Sequence, residues 1–395
     1  MTVLLFGRHG CCCRRDLLSV SRPLTHWFLC YFAAQFWALP IYVAAQRGYF
    51  ADLGLNVTFK TYPSGAPQIA DGVENAAWDI GGTGSVPCIF GALADPQIQT
   101  IGISNDESAG NALVGNAEGV EMFSDKNLDL ASQNVKIAIT PNSTGQYAAE
   151  ECLRSIGQEV SDDLFIFGQQ GEALDHLSNG DTPFGGLWAP NTYTAAETIP
   201  GASVLCTGKE VDATIPGGIV VRKQFGEEQL PTVKMVLAAW MRSISYIRSQ
   251  ENREQSKEYL RKFYAVSGVV ISDEALQEEF NTRPLYGLGT QVALHTTGNL
   301  AIMFNNVATF LADKGVLDAV PPTDSYLDSK YMQALIDDPD LSDYAMKDQQ
   351  NNLGGNMDAE EEPTLSPTSG AKVTATMKSL LVTAMGIFAA MSLFH

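Results

Sequence analysis

The sequence predicts an α/β protein of two lobes, each a mostly parallel sheet flanked by helices, with a cleft between them. Three observations carry that expectation. Apolar segments of strand length alternate with helix-length segments from residue 27 to residue 206, the order of parallel βαβ units. The alternation comes in two runs, one on either side of Gly110. One device, a strand entering a helix through small residues, occurs at Ser64-Gly65-Ala66, at Trp78 to Leu93, and at Asn142-Ser143-Thr144-Gly145.

The stretch from Trp78 to Leu93 shows what the device can do. A short apolar strand, Trp78 to Ile80, runs into a turn containing Gly81, Gly82 and Gly84, and then into a helix. Thr83 or Ser85 suits the N-cap, and Pro87 suits the first helical turn, where its missing N–H costs nothing. The glycines admit a ligand close to the backbone, and the free N–H groups of a helix N-terminus favour an anion.

Composition limits the function. The chain has 395 residues and is 45% hydrophobic, enough for two lobes of ordinary size. A net charge of −20 excludes the basic footprint that nucleic acid requires. Any anion site must therefore be local, built from backbone N–H groups and hydroxyls. Cys11, Cys12 and Cys13 are consecutive and suit neither a zinc site nor a disulfide framework; Cys30, Cys88, Cys152 and Cys206 read as small core residues. The histidines, His9, His26, His176, His295 and His395, show no ligand spacing, so no metal and no cofactor are expected.

Taken in order, residues 1–25 are arginine-rich and of unclear role. Trp27 to Ala45 is uncharged over about a membrane-span length, but Gln35 and Pro40 interrupt it. It reads as strand (Trp27 to Ala33), loop and helix (Leu39 to Arg47), with a signal anchor as the alternative. Strand Asn56 to Tyr62, helix Ala66 to Ala76 and strand Gln99 to Ser104 complete the first run. The second comprises strand Val135 to Thr140, helix Gly145 to Ile156, strand Leu164 to Phe167, helix Gly171 to Ser178, and strands Gly185 to Trp188 and Ala202 to Cys206. After strand Gly218 to Arg222, amphipathic helices Leu230 to Ser249, Gln255 to Tyr264, Asp273 to Phe280 and Gly298 to Lys314 are expected on the outside of the lobes.

The tail differs in character. Residues 343–362 are polar and acidic, Pro363 to Thr368 is a low-complexity linker, and small residues from Ser369 precede a polar spacer and the apolar run Leu380 to Phe394. That order matches a glycosylphosphatidylinositol signal with Ser369 as the attachment candidate, placing the protein at the cell surface. The expected organisation is an N-terminal segment (1–25), a first lobe with C-terminal helices (26–112 and 213–337), a second lobe (113–212), a linker (338–368) and the anchor signal (369–395).

Several stretches resemble the periplasmic solute-binding proteins for taurine, alkanesulfonates and nitrate. The first is Leu39-Pro-Ile-Tyr-Val-Ala-Ala-Gln-Arg-Gly-Tyr-Phe-Ala-Asp-Leu-Gly-Leu-Asn-Val57. Ser64-Gly65, Asp79 to Pro87, Asn142 to Tyr147, Trp188-Ala-Pro190, Val220 to Phe225 and Phe310 to Val316 follow in the family's order, so the likeness covers roughly residues 27 to 337. It implies a type II periplasmic binding protein fold with hinges near Gly110 to Gly115 and Lys209 to Gly217. A small organic anion would be held in the cleft by a monomer and passed to a membrane transporter or receptor.

The resemblance also implies residue roles. Ser64, Gly65, Thr83, Gly84 and Ser85 hold the anionic group from the first lobe, although helix capping alone would also account for them. Ser143, Thr144, Gln146 and Tyr147 close from the second lobe, Trp188 forms a pocket wall, and Gln35 and Trp37 contact ligand from the first loop. Taurine binders place an acid where this chain has Gly217; unless Asp212 substitutes, an anion without an amine is favoured. Asn56 and Asn142 begin glycosylation sequons, of which Asn142 is expected to be unused because a glycan there would crowd the cleft. No catalytic residue is assigned, since no nucleophile–base pair is evident. The alternatives are a thiamine-pyrimidine synthase, an enzyme of the same fold needing pyridoxal phosphate and iron, and a pyrimidine receptor.

Overall fold

The computed structural model describes residues 26–32, 35–95, 97–125 and 128–348, and ten strands among them form two five-stranded sheets. The first contains β1 (His26–Phe32), β2 (Asn56–Tyr62), β3 (Ile80–Gly84) and β4 (Ile98–Asp106). The second contains β5 (Asn111–Gly115), β6 (Ile137–Ile139), β7 (Phe165–Phe167), β8 (Phe184–Trp188) and β9 (Ser203–Thr207). The chain then returns to the first as β10 (Pro216–Arg222), giving the orders β2-β1-β3-β10-β4 and β7-β6-β8-β5-β9.

The parallel character expected from βαβ alternation holds for β1 with β2 and β3, and for β6 with β7 and β8. The strands that enter each sheet directly from the other one, β5 and β10, are antiparallel to both neighbours. The crossovers are Glu107 with the turn Ser108–Gly110, and the stretch from the turn Gly208–Val211 to Ile215. Residues 111–115, read from the sequence as hinge, are instead the buried strand β5, bonded along both edges.

The glycine turn of the sequence reading is itself a strand. Gly81, Gly82 and Gly84 lie in β3, and the helix Ser85–Leu93 starts immediately after it. Bulk next to the strand is the reason for glycine here: a Cβ on Gly82 would come within 2.3 Å of the Trp37 ring and 3.1 Å of Trp240. The N-cap is Gly84, with no side-chain cap bond, so neither Thr83 nor Ser85 caps the helix.

The helix Leu230–Arg248, expected on the outside, is largely buried, with Val233, Val236, Leu237, Trp240 and Ile244 in the main core beside β3 and β10. Apolar residues around most of its circumference require burial on more than one face. The segment read as polar from residue 338 includes the helix Pro339–Met346, whose Tyr344 ring meets the Tyr49 ring edge-on, both against Arg242 at 4.5 and 4.0 Å. Ser369 and the apolar tail fall outside the described residues. Among the described residues, no helix is long and apolar enough to cross a membrane.

Cys152 and Cys206, read from the sequence as separate core residues, form a disulfide between the helix Thr144–Ser155 and β9. Their separation of 54 residues hid the pairing, because only the closed second sheet brings that helix against β9. Cys88 remains a free thiol, fully buried and pushed up to about 12 by that burial. Closing a loop of this length restricts the unfolded chain, so Cys206→Ser is expected to lower unfolding free energy by about 2–4 kcal/mol. Urea denaturation of the variant, beside the native chain with and without reductant, measures it.

Candidate functional site

Two helices of the first half begin side by side. A Cβ on Gly65, the first residue of the helix Gly65–Asn75, would lie 2.1 Å from Pro87 Cγ and 3.1 Å from Thr83 Oγ1. The N-termini of Gly65–Asn75 and Ser85–Leu93 therefore converge on Thr83, and only a residue without a side chain permits that approach. Thr83 and Ser85 are fully buried, and neither Oγ has a hydrogen-bond partner among the described residues. Two orphaned hydroxyls beside converging helix N-termini are costly in the protein alone and suit an incoming acceptor. Ser64, half-buried, precedes the first of these helices as an N-cap without a side-chain bond.

In the second half, the helix Thr144–Ser155 is capped by Ser143, whose Oγ accepts from Gln146 N at 3.1 Å and donates to Thr140 O at 2.7 Å. Here capping takes up the hydroxyl, in contrast to Thr83 and Ser85. Gln146 is also committed internally, accepting from Asn142 N and donating to Glu150 at 2.8 Å. Tyr147 packs on Phe310 with ring centroids 5.1 Å apart, and burial raises its hydroxyl pKa. Trp188 is brought to the same helix end: a Cβ on Gly145 would lie 3.1 Å from its ring, and its backbone N donates to Gln170 Oε1 at 3.0 Å.

Gln35 approaches the second group, donating from Nε2 to Ala189 O at 3.5 Å, next to Trp188. Trp37 is fully buried against Gly82 and Gly217, and its carbonyl accepts from Ser104 Oγ at 2.7 Å. The structure thus gathers Gly65, Thr83, Gly84 and Ser85 at one corner and Ser143, Thr144, Gln146, Tyr147 and Trp188 at another. Trp37 lies against Gly82 of β3, and Gln35 meets Ala189 beside the second corner. Among the described residues, neither Thr83 Oγ1 nor Ser85 Oγ bonds to the second group.

Gly217 has a steric explanation. It pairs with Asn105 across β10 and β4, and a Cβ there would meet Asn105 Oδ1 at 2.6 Å and Trp37 Cβ at 3.0 Å. Asn105 occupies the space a side chain at 217 would need. Asp212 is exposed, in left-handed backbone at φ 55°. Asn56 and Asn142, the sequon residues, are both exposed.

Residues not marked by any sequence signal surround the first crossover. Arg283 is fully buried, bonded to Glu107 and to Glu279, and Tyr264 donates to the other Glu279 oxygen at 2.5 Å. Burial raises the Glu279 pKa; burial also opposes the Arg283 charge, but Glu107 and Glu279 hold its pKa above the usual value. Gln170 is likewise unmarked, although it holds both Trp188 N and Gly186 O.

Comparison with known proteins agrees with this architecture. The chain is 29% identical over 211 residues to a Bacillus subtilis (strain 168) protein designated aliphatic sulfonates-binding, covering 52% of this chain and 61% of that one. It is 24% identical over 217 residues to a protein so designated from Escherichia coli (strain K12), covering 55% and 65%. The chain thus spans less than two thirds of the length of either relative.

Among solved structures it resembles the periplasmic aliphatic sulphonate binding protein SsuA of Escherichia coli, with TM-score 0.61 at 15% identity over 77% of this chain and 92% of that one. Xanthomonas axonopodis pv. citri SsuA, an alkanesulfonate-binding protein bound to MOPS, gives 0.58 at 15% identity over 77% and 98%. The periplasmic nitrate-binding protein NrtA of Synechocystis PCC 6803 gives 0.54 at 14% identity over 81% and 91%. These likenesses establish the periplasmic binding protein fold. Residues 35–254, more than half of the chain, match the family described as NMT1/THI5 like, and the chain belongs to that family.

Proposed function

We propose that this protein is a non-catalytic solute-binding protein that captures a small organic anion of the sulfonate class between its two sheet-bearing halves. The observation that carries the reading is the pair of buried, partnerless hydroxyls, Thr83 Oγ1 and Ser85 Oγ, where two helix N-termini converge. Hydroxyl and N–H donors in a strongly acidic chain recognise an anion without a cationic side chain. The sulfonate-binding designation of its relatives supports the ligand class. Ser64, Gly65 and Gly84 complete the first corner. Thr144, Gln146, Tyr147 and Trp188 approach from the second half, Ser143 orders that helix end, and Gln35 and Trp37 set the wall between.

The Cys152–Cys206 disulfide supports a location outside the reducing cytosol, as does the periplasmic origin of structural relatives. A transporter or receptor that reads the closed monomer, and a lipid anchor at Ser369, complete the proposal.

A thermal-shift panel of ethanesulfonate, taurine, nitrate and hydroxymethylpyrimidine tests the ligand class. Ethanesulfonate at a hundredfold excess over its Kd is expected to stabilise the chain by about 2.7 kcal/mol. Stabilisation by the pyrimidine alone would overturn the anion reading in favour of the pyrimidine receptor.

A further inference from the structure

The sheets are joined covalently by two crossovers; non-covalent contacts also join the halves, among them Ser272 Oγ donating to Glu197 at 2.6 Å, and a more extended one runs along the helix Asn299–Asp313. Asn306, Phe310 and Lys314 stand at positions i, i+4 and i+8, one stripe of that helix and its C-cap. Every residue of the stripe engages the other half or the crossover leading from it. Asn306 Nδ2 donates to Thr214 Oγ1 at 3.3 Å, in the second crossover. Phe310 packs on Tyr147 with ring centroids 5.1 Å apart. Lys314 bonds two carboxylates of the second half, Asp162 and Glu150, the latter at 3.1 Å.

Glu150 makes the connection specific. Its side chain is fully buried, and it accepts from Gln146 Nε2 at 2.8 Å and from Arg154 at 2.6 Å as well as from Lys314. Gln146 in turn accepts from Asn142 N at 2.7 Å. A continuous hydrogen-bonded path therefore runs from Lys314 to the first turn of the helix Thr144–Ser155. The Asn299–Asp313 helix also packs against Ser85–Leu93, the helix whose start carries the orphaned hydroxyls. One helix thus touches a site-forming helix of each half, Ser85–Leu93 and Thr144–Ser155.

We infer that the Asn306–Phe310–Lys314 stripe is a clasp that holds the two halves closed, and that opening the cleft requires unzipping it. The inference rests on the reading that the halves close on a ligand, and it adds the element that sets how readily they part. Lys314 and Phe310 are positioning residues: they order the Thr144 end of its helix through Glu150 and Tyr147 without being ligand contacts. Salt screens the exposed Lys314–Asp162 arm but leaves the buried Lys314–Glu150 pair and the Phe310 contact largely intact.

The test uses the full chain without ligand, so that it stays separable from the thermal-shift panel on anion binding. Small-angle scattering and hydrogen exchange are measured for native protein, Lys314→Met, Phe310→Ala and Lys314→Arg, at low salt and at 0.5 M salt. Lys314→Met and Phe310→Ala are expected to increase the radius of gyration. They should speed exchange at least tenfold in the first turns of Thr144–Ser155, with β3 and β10 still protected. Lys314→Arg is expected to behave as native, and 0.5 M salt to leave the native chain closed because the buried Glu150 pair persists. An unchanged radius with unchanged exchange in residues 144–150 would overturn the clasp, as would faster exchange spread equally through β3 and β10. A failed anion panel alongside these local changes would remove the ligand reading and leave the clasp standing.

Discussion

Arg283→Met is expected to destabilise the folded chain by about 3–5 kcal/mol, because it leaves Glu107 and Glu279 buried without their shared cation. Methionine approximates the length of the side chain, so the loss reports charge more than volume. The arginine also lies under the first crossover, where a Cβ on Gly110 would come within 2.9 Å of its Nε, and over Phe36 at 5.2 Å. Its removal therefore loosens the point at which the chain leaves the first sheet.

The pH dependence fixes the sign. Burial already raises the pKa of Glu279, so the folded state holds that proton more tightly than the unfolded chain does. A raised carboxyl favours folding below its unfolded value, and that benefit is lost as pH rises through the folded value. Without Arg283 the raise grows, and the deficit relative to native protein should be larger at pH 8 than at pH 5. Urea denaturation at both pH values measures it. An equal deficit at both would refute the buried-charge explanation.

The double variant Thr83→Val, Ser85→Ala is expected to separate binding from stability. Both hydroxyls are buried without partners, so replacing them with apolar groups should leave unliganded stability unchanged or raise it by about 1–3 kcal/mol. A hydrogen bond to a charged ligand contributes about 1.5–3 kcal/mol, so losing even one weakens affinity by roughly 10- to 100-fold. Calorimetric titration with ethanesulfonate, beside unfolding of the ligand-free chain, reads both quantities. If stability falls while affinity holds, Thr83 and Ser85 are structural and the first corner is misassigned.

Alternation of strand and helix was enough to predict two parallel-rich sheets, because period and turn chemistry are local properties. Residues 64–65, 83–85 and 143–147 were legible for the same reason: small and hydroxyl residues before an apolar helical run mark an N-terminus wherever they stand. Which hydroxyls cap and which remain unpaired was not legible. Ser143 binds its own helix, while Thr83 and Ser85 are buried without partners, Thr83 beneath Gly65 from the preceding helix.

The sequence by itself determined most of the element types, the positions of the helix N-termini and the family resemblance on which the proposed ligand class rests. Only the tertiary structure decided that Gly217 faces Asn105, that Cys152 meets Cys206, that Arg283 reaches Glu107, and that Lys314 crosses to Glu150. Each of the four joins residues far apart in the chain, and their strength comes from burial and close approach. Local periodicity encodes neither, because packing between elements creates both.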